Sequence, residues 1–289
     1  MKPDFVIGGA PKCATTALFD YLAQHPQIFA TVPKEPHYFA SAALGRPFMR
    51  HDFSAEAYQA LYSGCLPGQM AGEGSTHYLH HAPAVAPLMA AQAPQARLIF
   101  CLREPVARAY SHFLFRYSVA GPHDLGGMGQ RRDFVAFARD PEMFAAGNYA
   151  DNLRVFLKHF PRSQIHLVFF EDVVSDLAGC LAGICRFLGV DESFSFDLSR
   201  RSNTTAYPRS TGLTSMGDRL VGAIYPRLSV SGRRRLMRLR KRVLFSPRAA
   251  KPRISPEERD CVRSLYRQSV LRLEDLAGRD LAAWRAEEA

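Results

Sequence analysis

The segment from Asp4 to Leu22 constrains this chain more than any other. Phe5, Val6 and Ile7 form a short apolar run that stops at Gly8 and Gly9. Beyond Thr15 the period changes, and Leu18, Phe19, Tyr21 and Leu22 recur at helical spacing. Buried strand, tight loop and helix follow one another. Such a loop aims backbone N–H groups and the positive end of a helix at one point, which suits a phosphate.

Compared with a Walker A motif, Gly9 to Thr16 has the right length and different residues. Ala14 stands in place of the second Gly and Thr15 in place of the Lys; the cation has moved forward to Lys12, and Thr16 keeps the hydroxyl. The run Pro11 to Leu18 resembles the 5′-phosphosulfate loop of sulfotransferases that use 3′-phosphoadenosine-5′-phosphosulfate (PAPS), especially bacterial members related to the heparan-sulfate sulfotransferases. That family usually has Gly where Ala14 stands. The ending, Leu273 to Trp284, is similar to how bacterial members finish, so the likeness covers nearly the whole chain.

Strands are expected at Phe5–Ile7, Gln69–Ser75, Arg97–Leu102 and Gln164–Phe170. Between them helical patterns fit 54–62, 84–93, 105–117, 133–139, 148–160 and 173–188, with loop over 42–53. Alternation of this kind predicts an α/β fold, P-loop-like and three-layered, with a central parallel sheet flanked by helices and ligands at the strands' carboxyl ends. Over 289 residues we expect a single domain, with a basic helical segment at 232–253 and a C-terminal helix at 256–277 packed on it. Ser255-Pro256-Glu257-Glu258 is a capping box with Pro at the first helical position.

Composition narrows the setting. No apolar run is long enough to span a membrane, and no signal peptide is expected, because the N-terminus enters the first strand almost directly. Cys13, Cys65, Cys101, Cys180, Cys185 and Cys261 have no zinc spacing and no C-x-x-C pair, which fits buried thiols in a reducing cytoplasm. The net charge of +10 is local: the stretch from Arg233 to Arg253 holds ten Lys or Arg and no acid, leaving 27 basic against 27 acidic residues elsewhere. Nucleic acid is not an expected partner. The basic stretch suits an anionic partner or membrane surface, an acidic acceptor, or a solvated helix face; Leu236, Leu239 and Val243 keep helical spacing, so that side is expected to pack.

The resemblance implies roles for particular residues. Lys12, Cys13, Ala14, Thr15 and Thr16 would hold the 5′-phosphosulfate, with Lys12 stabilising the departing bridging oxygen. Arg103 and Ser111 occupy the family's 3′-phosphate positions; an arginine can also grip a phosphate through two parallel hydrogen bonds. Pairing of Arg103 with Glu104 or Glu73 is the alternative. Glu35, in Lys34-Glu35-Pro36-His37-Tyr38-Phe39, matches the glutamate that deprotonates the acceptor, and His37 is its rival. Pairing of Glu35 with Lys34 or Lys12 stays open. Glu73 would orient the acceptor or Lys12, or cap a helix; Gly74 departs from members with lysine there. His80 and His81 read as a solvated pair. In the loop from Ser202 to Ser210, Tyr207 would stack on adenine and Arg209 would touch the 3′-phosphate.

The expected activity is therefore sulfuryl transfer from PAPS to a hydroxyl or amine of a small-molecule or carbohydrate acceptor, without a metal and leaving the adenosine 3′,5′-bisphosphate PAP. A P-loop kinase is the alternative, disfavoured because Arg103 stands where a magnesium-holding Asp would end the strand. A non-enzymatic anion- or membrane-binding protein is the other.

Overall fold

Alternating apolar strands and amphipathic helices build the architecture seen in a computed structural model, which describes residues 3–48, 54–120, 133–199, 207–224, 230–246 and 249–286. In chain order the elements are β1 (Phe5–Gly9), α1 (Thr15–Leu22), β2 (Ile28–Ala30), α2 (Tyr38–Leu44), α3 (Ala55–Ala60), β3 (Met70–Glu73), α4 (Ala82–Gln92), β4 (Arg97–Leu102), α5 (Pro105–Ala120), α6 (Phe134–Arg139) and α7 (Pro141–Ala145). Then come α8 (Tyr149–Leu157), β5 (Ile165–Phe169), α9 (Phe170–Ser175), α10 (Leu177–Leu188), β6 (Tyr207–Pro208), α11 (Thr211–Ile224), α12 (Val230–Leu244), β7 (Phe245–Ser246), α13 (Pro256–Ala277) and α14 (Ala282–Arg285). The described chain forms two compact units, the first from residues 1–108, 144–203 and 266–286, the second mainly from 109–143 and 204–265.

The first unit holds a five-stranded sheet ordered β2-β3-β1-β4-β5, with every pair parallel. Phe5, Val6 and Ile7 are fully buried, as are Ile99, Phe100, Cys101 and Leu102, because helices cover both faces of a parallel sheet. Helix α1 packs beside α10, and α4 beside α8, where Phe100 meets Phe156 at 4.9 Å between ring centroids. With β1 in the middle, later strands add to one side and then the other. Its carboxyl end is therefore the switch point where α/β sheets bind ligands. The three-layer expectation holds.

Three local readings need correction. Strand β2 was not foreseen: it is a three-residue edge strand whose burial falls from Ile28 to Ala30, so it shows little apolar pattern. The 42–53 loop begins as α2, because Tyr38 and Phe39 are buried, and that helix stops at Gly45 with φ 62°. The expected 173–188 helix is two helices. Asp176 leaves the helical region at φ −145° and its carboxylate accepts the Gly179 N–H at 2.9 Å, capping α10.

In the second unit β6 and β7 pair antiparallel, and α11 packs on α12. The expected packing side of α12 is overturned. Leu239 and Val243 are exposed, whereas Arg240 is buried and donates to the carbonyls of Tyr117 and Ser118, with its guanidinium 4.8 Å from the Phe245 ring centre. Arg240 can occupy that position because its donors find carbonyls and its charge finds aromatic faces. The capping box forms as read: the Glu258 N–H donates to Ser255 Oγ and the Ser255 N–H to Glu258 Oε2, each at 3.2 Å.

Candidate active site

The loop after β1 is shaped by backbone requirements. Gly9 has φ 140°, and a Cβ there would lie 2.7 Å from the Thr76 carbonyl oxygen, so only glycine fits. Ala10 N–H ties the loop to the Cys101 carbonyl at 2.8 Å. Lys12 and Ala14 are both left-handed, at φ 72° and 64°. Ala14 thus holds the conformation that glycine adopts more cheaply. Helix α1 starts at Thr15 with no side-chain cap, and its first N–H groups have no intrahelical acceptor. An anion placed there would complete them.

Two cations flank that helix start. Lys12 is half-buried; burial lowers its ammonium pKa, the Arg103 guanidinium lowers it further, and Cys13 and Glu35 oppose the shift. Arg103, at the end of β4, donates to the Lys12 carbonyl at 3.3 Å and lies 4.1 Å over the Phe170 ring, while its own carbonyl accepts the Tyr149 hydroxyl at 2.9 Å. Neither alternative pairing of Arg103 occurs. The Glu104 carboxylate caps α5 through the N–H groups of Val106 and Ala107 at 2.8 and 2.6 Å, and Glu73 is engaged elsewhere. Cys13 turns inward, fully buried, its Sγ 3.9 Å from the Tyr149 hydroxyl; burial pushes the thiol up to about 11. Only its backbone is available to a ligand.

Glu35 lies on the segment just before α2. Its Oε1 accepts Lys34 Nζ at 2.8 Å and the Thr76 hydroxyl at 3.4 Å, and Oε2 lies 3.4 Å from His37 Nε2. Burial alone would raise its pKa, but the hydrogen bond from His37 and the charge of Lys34 outweigh it and hold the carboxyl at about 2. Lys34 also donates to Thr16 Oγ1 at 3.2 Å, so one ammonium joins Glu35 to the first turn of α1. Of the two pairings left open, Lys34 makes the contact, while the Glu35 charge acts on Lys12 by raising its pKa. His37 is 1% exposed, with Nδ1 lacking a hydrogen-bond partner among the described residues.

Glu35 and His37 are themselves left-handed, at φ 65° and 53°, and a buried polar network holds them so. His37 N–H donates to Ser75 Oγ at 3.0 Å and Phe39 N–H to the Tyr78 hydroxyl at 3.3 Å. Ser75 and Tyr78 donate in turn to Glu73, joined by Tyr58 at 3.0 Å, and Tyr62 donates to Tyr58 at 2.9 Å. Glu73 is fully buried, and burial raises its pKa against these hydroxyl donors. It neither caps a helix nor meets Lys12; it fastens the Glu35 segment. His80 is buried beside His77 and His81 rather than solvated.

Ser111 lies half-buried on α5, eight residues after Arg103, in the second unit. Tyr207 is half-buried on β6 and Arg209 exposed just after it, the Arg209 N–H donating to the Leu244 carbonyl at 2.9 Å. Residues 49–53, 121–132 and 200–206, which include much of the expected pocket walls and the start of the adenine loop, lie outside the described residues. Sequence reasoning gave Lys34 no role beyond a possible pairing and missed Ser75, Tyr58 and Tyr78. Lys34 had a signal, being a cation adjacent to the presumed base. The network residues had none, since their hydroxyls converge only through the fold.

The Sulfotransferase domain family is matched over residues 2–211. The human protein heparan sulfate glucosamine 3-O-sulfotransferase 3B1 is 30% identical over 207 residues, covering 68% of this chain and 50% of its own length. The human 3A1 enzyme is likewise 30% identical, over 68% of this chain and 48% of its own. The chain thus spans about half the length of these curated relatives. Among solved structures, a sulfotransferase from Alicyclobacillus acidocaldarius superposes with a TM-score of 0.67 at 26% identity, over 99% of this chain and 100% of that one.

Proposed function

The chain belongs to the sulfotransferase domain family, and we propose that it transfers a sulfuryl group from PAPS to a hydroxyl or amine of a small-molecule or carbohydrate acceptor. The observation that carries this reading is the uncapped start of α1, with Lys12 in the loop just before it and Glu35 joined to its first turn through Lys34. PAPS supplies an activated sulfuryl group on a phosphate anhydride and a separate 3′-phosphate. The uncapped start of α1 suits the phosphosulfate end of it, and Arg103, at the end of β4, suits a phosphate. The N–H groups of Cys13, Ala14, Thr15 and Thr16, with the Thr16 hydroxyl, bind the oxygens of the phosphosulfate. Lys12 holds positive charge where the leaving oxygen becomes negative, which favours the transition state over the ground state.

Arg103 grips the 3′-phosphate with its planar fork; the sequence resemblance, and not any geometry between the two units, assigns Ser111, Tyr207 and Arg209 to the 3′-phosphate and adenine. Glu35 removes the acceptor's proton. The burial of His37 supports this assignment: its Nε2 faces Glu35 and orients it, and the ring has no exposed edge for an acceptor. The carbohydrate acceptors named for the relatives support a sugar, and the exposed Arg235, Arg238, Lys241 and Arg242 of α12 suit an anionic surface. No described helix is long and apolar enough to cross a membrane, and the six free cysteines fit a reducing cytoplasm.

Calorimetry with PAP tests the reading. Binding is expected with or without magnesium and is greatly weakened in Arg103→Ala and Lys12→Ala. Absence of PAP binding, together with tight ATP binding that requires magnesium, would establish the kinase instead.

A further inference from the structure

The resting surroundings of Glu35 oppose the role of a base. Lys34 and His37 contact it, Thr76 donates to it from the turn after β3, and the Lys12 ammonium and the His77 imidazole are also near enough to interact with it. A carboxylate held this firmly has little affinity for an acceptor's proton, because efficient bases titrate near the working pH. Something must loosen that hold at the moment of reaction.

Lys34 is placed to do so. Its ammonium is 2.8 Å from Glu35 Oε1 and 3.2 Å from the hydroxyl of Thr16, the second residue of α1, and it lies 5.9 Å from the centre of the Phe19 ring. An ammonium has three donors, and the third has no hydrogen-bond partner among the described residues. The side chain is half-buried, so it is poorly screened by water. An anion arriving at the start of α1 comes within reach of Nζ without any movement of the backbone.

Resting on the reading above, we propose that Lys34 is a positioning residue that turns from Glu35 toward the sulfonate end of the bound donor, so that Glu35 becomes a competent base only in the loaded enzyme. In the reaction that follows, the acceptor's proton passes to the Glu35 carboxylate. The acceptor oxygen forms the new bond to sulfur, and the old sulfur–oxygen bond breaks with its electron pair remaining on the oxygen beside Lys12. An unloaded site then has no active base to spend on water or on acceptor alone.

Carboxyl-carbon NMR of the full chain tests this, with Glu35→Gln assigning the resonance and titrations run on free, PAP-saturated and PAPS-saturated protein. A neighbouring opposite charge shifts a carboxyl by about 1–3 pH units, which sets the expected scale. In wild-type protein PAPS raises the Glu35 midpoint by at least about one unit, and PAP, lacking the sulfonate, raises it less. Lys34→Met, or Lys34→Gln should the first variant fold poorly, starts with the raised midpoint and gains little more from PAPS. The proposal is overturned if the Lys34 variants show the full wild-type rise on binding PAPS, or if bound PAPS leaves the wild-type midpoint unmoved. Failure of PAPS to bind the wild-type protein at all, read by calorimetry on the same samples, overturns the sulfotransferase reading itself and this proposal with it.

Discussion

Tyr78→Phe isolates the network behind Glu35, because it deletes one oxygen and leaves the ring. That oxygen donates to Glu73 Oε1 at 2.8 Å and accepts the Phe39 N–H at 3.3 Å, and the side chain is fully buried. A hydrogen bond contributes about 0.5–1.5 kcal/mol, and a buried donor left without a partner costs about 1–3 kcal/mol. The two effects overlap, so the expected loss is about 3 kcal/mol. Tyr62→Phe is the internal control: its hydroxyl, equally buried, only donates to Tyr58, and its removal should cost about 1 kcal/mol. Urea unfolding measures both, as a fall in midpoint at constant slope. PAP affinity should be unchanged in either variant, since the loop of Lys12 is tied to β4 rather than to Glu73. Equal losses in the two variants, or a Tyr78→Phe protein as stable as wild type, would refute the view that Glu73 fastens the catalytic segment.

Two further outcomes follow from backbone and burial. Ala14→Gly relieves a left-handed alanine at φ 64° and should stabilise the protein by up to about 1 kcal/mol in the same urea assay, less the greater freedom of glycine in the unfolded chain. His77 is pushed down to about 3 from 6.5, first by burial and then by the charge of His37. Its folded-state pKa is depressed, so the unfolded chain binds the extra proton between these values, and stability falls as pH drops from 6.5 toward 3. The slope is at most about 1.4 kcal/mol per pH unit, and His77→Gln should remove that part of the acid sensitivity in chemical denaturation followed against pH.

The sheet and the loop between β1 and α1 were legible because their signals are local. Phe5 to Ile7 and Leu98 to Leu102 are buried on both faces and read as unbroken apolar runs, and the switch to helical spacing at Thr15 marks the loop between them. The capping box at Ser255 is similarly self-contained. What stayed hidden depends on the fold. Arg240 gives no sign in sequence that carbonyls from α5 await it, and Leu239 looks better suited to burial. Glu73 could not be told from a ligand-facing acid, because Tyr58, Ser75 and Tyr78 reach it only once β3 and α3 are in place.

Cys13 occupies the turn proposed to cradle the donor, yet its sulfur is shut in below Tyr149. Sulfur chemistry there is silent while the turn stays closed, whatever its intrinsic reactivity. Cys65, Cys180 and Cys261 are only partly covered and would react first with a small neutral disulfide. The lag before Cys13 follows is then a clock for local breathing of the cradle, and a nucleotide that braces the cradle should slow that clock.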